Sequence, residues 1–330
     1  MNSLTNRRRF LKQSVYALPS IALLNTWSCS GASSNNESED MTESDQPASK
    51  ELFFKISLAQ WSLNRAFKAG DLQVEDFAKI AKEDYNISAV EYVSSLYLEH
   101  AGKDPYFIDL NQRAKDIGVE NLLVMVDDEG DLGNPDATAR QQAVENHYKW
   151  VDATKLLEGH SIRINAFGDG GREEVSNALV DGLGKLAAYA QKENINVVIE
   201  NHGLFSSDAK WVANVIEQIN MDNCGTLPDF GNFCTAKKWG STQNNDCEEA
   251  YDRYLGVKEM MPYAKGVSAK SYDFDAQGNE TIIDYQKMLD IVKAAGYAGY
   301  IGIEYEGTRL SEPDGIRATK ALLERLGSTM

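Results

Sequence analysis

The sequence predicts an α/β fold, a single parallel (β/α)8 barrel, and three observations carry that expectation. From residue 52 onward one unit repeats: a helical pattern, a Gly or Asn stop, then four to six apolar residues. Strands alternating with helices imply a parallel sheet, and unbroken Val/Ile/Leu runs suit strands covered on both faces. Eight such runs occur, the number that closes a cylinder, and residues 51–330 suit one barrel of about 250 residues better than two domains.

Taken in chain order, residues 1–29 read as an export signal. Asn6-Arg7-Arg8-Arg9-Phe10-Leu11-Lys12 fits the twin-arginine pattern, and the apolar stretch 15–24 is too short to span a bilayer but suits a signal's apolar region. The competing reading is a basic amphipathic helix kept in the mature protein. Thr26-Trp27-Ser28-Cys29 resembles a loose lipobox in which Cys29 would be acylated, with Trp27 atypical there. Residues 30–50 are rich in Ser, Asn, Glu and Asp and hold almost no large apolar side chain, so they read as a disordered linker. The protein is then exported, and either anchored through lipid on Cys29 or released into the periplasm.

Strands are expected at 55–60, 89–93, 121–126, 161–165, 197–200, 225–228, 266–270 and 300–304. Helical segments and their stops separate them, as where Ala190-Gln191-Lys192-Glu193-Asn194 leads into Asn196-Val197-Val198-Ile199. A doubly wound open sheet is the alternative, but the glycine-rich turn of a dinucleotide site is missing after the first strand. Gly168-Asp169-Gly170-Gly171 lacks the Lys-Ser/Thr of a phosphate loop and reads as a tight loop on the active face. Outside the leader the cysteines are Cys224, Cys234 and Cys247, an odd number with no complete disulfide framework. Cys234 and Cys247 either pair across a loop or stay free. The net charge of −17 argues against nucleic acid, whose phosphates need a basic footprint.

Four runs deliver a polar residue at the strand end: Val197-Val198-Ile199-Glu200, Gly225-Thr226-Leu227-Pro228-Asp229, Gly266-Val267-Ser268-Ala269-Lys270 and Tyr300-Ile301-Gly302-Ile303-Glu304. In a parallel barrel these tips converge on the face that carries the active site. Glu200, Asp229 and Glu304 then repel one another, which a divalent cation or a retained proton relieves. Side chains alternate along a strand, so His202 points the same way as Glu200 in Glu200-Asn201-His202-Gly203. Asn232 turns back towards the centre in Leu227-Pro228-Asp229-Phe230-Gly231-Asn232.

With these motifs the chain resembles the xylose isomerase-like TIM barrels, the sugar phosphate isomerase/epimerase group that includes ketose 3-epimerases and 3-keto-glycoside lyases. The resemblance covers residue 52 to the end and rests on Glu-Asn-His-Gly, Asp-x-Gly-Asn and the closing Ile-Glu. It implies that Glu200, Asp229 and Glu304 hold one divalent metal and that the two glutamates exchange protons with a sugar. The family's fourth ligand is a histidine in a His-x-Lys strand, and Ser268 stands at that position in Ser268-Ala269-Lys270. Three carboxylates and a hydroxyl favour Mn²⁺ or Mg²⁺ over zinc. His202 is the replacement ligand, a substrate-binding or general-acid group, or structural. His100 and His147 are read as surface residues, and His160 as lying on the face away from the site.

Lys270 either neutralises the acids or polarises a substrate oxygen as charge develops. Trp61 offers an apolar face to a sugar ring, and Gln60, Asp127 and Asp128 stand at strand ends where they could bind hydroxyls. The expected chemistry is proton abstraction from a carbon beside a carbonyl of a keto-sugar, giving epimerisation or isomerisation. A lyase or hydrolase acting on 3-keto-glycosides is the nearest alternative. A carbohydrate-binding lipoprotein that has lost its metal is the alternative of another class.

Overall fold

The computed structural model describes residues 51–243 and 247–330; the export motif, Cys29 and the linker 30–50 lie outside the described residues. Eight parallel strands appear: β1 (Lys55–Ala59), β2 (Ala89–Val93), β3 (Glu120–Met125), β4 (Ser161–Asn165), β5 (Asn196–Glu200), β6 (Cys224–Leu227), β7 (Val267–Ser271) and β8 (Tyr300–Tyr305). They pair in the order β6-β5-β4-β3-β2-β1-β8-β7. Every expected strand is present, with ends shifted by at most one residue.

The ring meets itself between β6 and β7 by single bridges rather than a ladder. Thr226 faces Ala264 and Asp229 faces Ser268. Pro228 has no N–H to give a ladder and ends β6 early. The seam is instead held where Ser268 N donates to Pro228 O (2.9 Å) and Phe230 N donates to Ser268 O (3.1 Å). Asp229 is thereby set directly beside Ser268.

The helices are α1 (Asn64–Ala69), α2 (Phe77–Tyr85), α3 (Asp104–Asp116), α4 (Ala137–Leu156), α5 (Arg172–Gln191), α6 (Ala209–Ile219), α7 (Arg253–Met260), α8 (Tyr285–Ala294) and α9 (Glu312–Gly327). Their starts follow from capping side chains: Asp136, Asp208, Asp252, Asp284 and Ser311 each accept a bond from an amide in the first turn. Each such cap contributes about 1 kcal/mol. Asn86 and Asn220 stop α2 and α6 in the left-handed conformation, the stop signal expected of Asn.

Outward strand residues such as Ile162, Ile164, Val197, Ile199, Ile301 and Ile303 pack against the helices in the main core. A smaller apolar group, Ala59, Val93, Leu123, Met125, Val198 and Leu227, forms a second cluster. It belongs to the alternate, inward face of the strands. Polar groups share that face, and the register of β2 on β3 shifts between Val90 and Glu91. A bulge of this kind re-aims a side chain, and Glu91 is buried with its carboxylate on Ser57 Oγ (2.6 Å). Gly302 makes room: a Cβ there would sit 2.5 Å from a Glu91 oxygen.

Cys234 and Cys247 are joined in a disulfide, and Cys224 is free and buried. Two expectations are corrected here. His147 is buried rather than on the surface, because it lies on the inward side of α4, where Nδ1 donates to Ala143 O (2.7 Å). Gln60 is fully buried, giving Nε2 to the Tyr97 phenolic oxygen Oη and taking a bond from Val93 N, so its amide serves the fold and not a ligand.

Candidate active site

The three strand-end acids meet. Carboxylate oxygens of Glu200, Asp229 and Glu304 lie within 4.8 Å of one another, all buried. Each is fixed by its own surroundings. Asp229 Oδ1 accepts from the amides of Gly231 and Asn232 (both 2.8 Å), and Asn201 holds the Asp229 backbone from both sides (2.7 and 2.9 Å). Asn232 Nδ2 reaches Glu200 Oε1 at 3.4 Å.

Ser268 lies between two of the acids, its Oγ 2.6 Å from Asp229 Oδ2 and 2.8 Å from Glu304 Oε2. One hydroxyl has one proton. Both contacts are hydrogen bonds at once only if one carboxyl brings a proton of its own. Burial, reinforced by Glu304, pushes the Asp229 carboxyl up to about 7, which fits that requirement. Glu200 is also pushed well above the usual carboxylate range, by burial first and by Glu304 and Asp229 after it.

Lys270 Nζ lies 3.2 Å from Glu304, 3.3 Å from Glu306 and 3.8 Å from Asp229. Burial acts to discharge the ammonium, but Glu304, Glu306 and Asp229 outweigh it and raise its pKa. Lys270 does not line the cavity at this mouth. Three acids claim it from inside the wall, so its position suits neutralising them rather than touching a substrate oxygen.

The sequence reading missed Arg163. It projects inward from β4, and its Nη1 donates to Asp127 Oδ1 (2.7 Å) while Nε stands 2.8 Å from Glu200 Oε2. The second contact is out of line with the N–H, leaving both atoms without a formed hydrogen bond. Burial would favour a neutral Asp127, yet Arg163 overrides it and holds that carboxyl down at about 2. The available signal was a charge inside Ile162-Arg163-Ile164, a strand that is otherwise apolar on its covered face. Glu91 hid in the same way, within Ala89-Val90-Glu91-Tyr92-Val93.

His202 is fixed by a chain of polar contacts. Asn165 Nδ2 donates to Asp127 Oδ1 (2.8 Å), so Asn165 Oδ1 is the atom that meets His202 Nδ1 (2.7 Å). The ring proton therefore sits on Nδ1, and Nε2 carries the lone pair. Burial, then Arg163, drives the His202 pKa well below its ordinary value, so the ring is neutral.

Above these groups opens a cavity of about 470 Å³ lined by Trp61, Asp127, Asp128, Arg163, His202, Asn232, Trp239, Glu304 and Glu306 among others. Trp61 keeps its expected place there, with the Lys68 ammonium 3.9 Å from its ring centre. Glu200 and Asp229 are buried and do not form part of this lining. The Gly168 loop does not line the cavity either; it is pressed against Gly133, whose O would lie 2.1 Å from a Cβ at 168.

The charges test whether a divalent cation suits the site. Asp127, Glu200, Asp229, Glu304 and Glu306 face only Arg163 and Lys270 in these contacts. That deficit, the raised acids and the all-oxygen donor set of Glu200, Asp229, Glu304 and Ser268 fit a hard divalent ion.

The family model described as xylose isomerase-like TIM barrel matches residues 77–326. By sequence alone, no curated protein matches the chain. Among solved structures it is similar to the IolI protein with a bound zinc atom (14% identity, 84% of this chain and 99% of that one, TM-score 0.63). It is similar to D-psicose 3-epimerase from Clostridium cellulolyticum H10 (13% identity, 84% and 96%, TM-score 0.60). It is also similar to a 3-keto-D-glucoside 4-epimerase from E. coli (12% identity, 82% and 99%, TM-score 0.59).

Proposed function

Because the chain belongs to the xylose isomerase-like TIM barrel family, we propose that it is a sugar isomerase/epimerase-type enzyme that removes a proton beside the carbonyl of a keto-sugar or keto-glycoside. The observation that carries this reading is the meeting of Glu200, Asp229 and Glu304 within 4.8 Å beneath a sugar-sized cavity that Glu304 lines. Solved sugar epimerases of the same fold support it.

Glu304 lines the cavity and takes the proton. Glu200, which burial favours in its protonated form, returns one from beneath the cavity, where its carboxylate meets that of Glu304. Arg163 stays charged against Asp127 and Glu200 and faces the oxygen where negative charge develops. His202 Nε2 accepts a hydrogen bond from a substrate hydroxyl, and Lys270 neutralises the neighbouring acids and offsets their mutual repulsion. Glu200, Asp229, Glu304 and Ser268 would hold Mn²⁺ or Mg²⁺, which supplies Lewis-acid stabilisation of an enediolate.

The Cys234–Cys247 disulfide supports export, since disulfides persist in oxidising compartments. Arg7-Arg8 supports the twin-arginine route, with Cys29 as a lipid anchor.

The test is a set of free ketoses and 3-keto-glycosides incubated with Mn²⁺ in D₂O. Deuterium enters the product of at least one, and Glu304→Gln lowers that exchange by about 100-fold or more. Retained sugar affinity with no label would turn the reading to a binding protein; an expelled aglycone would make the enzyme a lyase.

A further inference from the structure

We propose that Trp239 forms a second ring-binding subsite beside the carboxylates, so that the substrate is a keto-glycoside whose substituent ring lies on this indole. The proposal rests on the carbohydrate reading above and names the substrate class within it.

Among the described residues, the large exposed hydrophobic side chains are Leu98, Ile108, Trp239 and Leu255, and of these Trp239 alone lines the cavity over the acids. It remains 43% exposed. Its backbone is also in an uncommon state, with φ of 59°. A bulky residue in the left-handed region is an outlier that persists only where the surroundings impose it, and such residues gather at ligand clamps. Glycine would take this conformation freely, so an indole here is kept despite the backbone.

The surroundings that impose it are specific. Gly240 N donates to His202 O (2.9 Å), Cys234 N donates to Gly240 O (2.9 Å), and Lys238 bridges Gly203. A Cβ on Gly203 would stand 2.3 Å from Lys237 O, and one on Gly240 would stand 2.6 Å from Gly203 Cα. The Cys234–Cys247 disulfide ties the loop at its ends. Residues 237–240 are thus pressed onto the segment that carries Glu200 and His202. The indole meets His202 and Phe167 nearly at right angles, at 4.8 and 5.4 Å between ring centres.

Trp61 lines the same space, so two aromatic walls serve one cavity. Its size falls within the about 300–1,000 Å³ of pockets that hold drug-sized ligands, room for a ring and a substituent. An indole offers such a substituent, a sugar ring with its C–H face or an aryl group, a large apolar contact.

Calorimetric titration tests this with phenyl 3-keto-glucoside, a 3-keto-disaccharide and free 3-keto-glucose as ligands. Wild type binds at least one of the two-ring ligands about tenfold more tightly than free 3-keto-glucose. Trp239→Gly, which keeps the left-handed backbone, brings the affinities together; Trp239→Phe keeps most of the preference and guards against loss of fold. Preference for the phenyl ligand alone names an aryl substituent, and preference for the disaccharide names a sugar. No preference in wild type, or an undiminished one in Trp239→Gly, overturns the subsite. Solvent exchange in all ligands with equal affinities sinks the subsite alone, whereas preference without any exchange sinks the isomerase/epimerase reading and leaves the subsite standing.

Discussion

Ser268 shows how much one side chain settles. Its hydroxyl bridges Asp229 and Glu304 at the position where the sequence resemblance implies an imidazole. A hydroxyl is a weaker ligand than a neutral imidazole, but it shares a proton with the acids when no cation is bound. Ser268→His should therefore tighten Mn²⁺ binding by about tenfold or more, since changes even in the groups that support a metal ligand shift affinity 10–100-fold. Equilibrium dialysis of both forms checks this, with circular dichroism confirming the fold. Unchanged affinity would place position 268 away from the ion. The acids at strand ends were legible in sequence because each closes an apolar run. Arg163 and Glu91 were not, since their runs continue past them, and only the inward pleat of β4 and β2 gives them to the site. Gln60 failed in the opposite direction: it follows a strand, yet Tyr97 and Val93 consume its amide.

At the scale of elements, the repeat of strand, helix and stop located all eight strands. Local chemistry explains this, because apolar runs, Asp caps and Asn or Gly stops act within a few residues of themselves. The seam between β6 and β7 was not legible, although Pro228 was visible, since closure needs two segments some forty residues apart. The loop after β6 was likewise open in sequence: Cys234 and Cys247 fitted either pairing or separation, and the fold decides for pairing. The disulfide closes a loop across a separation of 13 residues, for which chain entropy gives about 3 kcal/mol. Cys234→Ser is expected to lower unfolding stability by about that amount in urea denaturation. Reduced wild type should match the variant. A variant as stable as oxidised wild type would mean that the crosslink constrains little.

At the scale of the whole molecule, the barrel interior holds charge where an apolar core would serve stability better. Glu91 is the clearest case: burial pushes its carboxyl up to about 7, with Glu304 adding to the shift, while Ser57 and Arg163 oppose it. The folded state then keeps a proton that the unfolded chain releases above its ordinary carboxylate pKa. Stability is full below that value and falls as pH rises towards 7, by up to roughly 3 kcal/mol across the window. Glu91→Gln keeps the shape without the titration and should flatten this part of the profile in thermal unfolding from pH 4 to 8. An unaltered slope would assign the loss to other groups.

Composition and periodicity by themselves determined the fold class, the strands, the absence of a basic footprint and the three acids at strand ends. These depend on burial and on the two-residue pleat, which a strand obeys wherever it lies. Tertiary structure alone decided that Arg163 and Glu91 join the interior, that Lys270 is held by acids inside the wall, and that Trp239 stands over the cavity. Those depend on which distant segments meet, and the ring fixes that only when it closes.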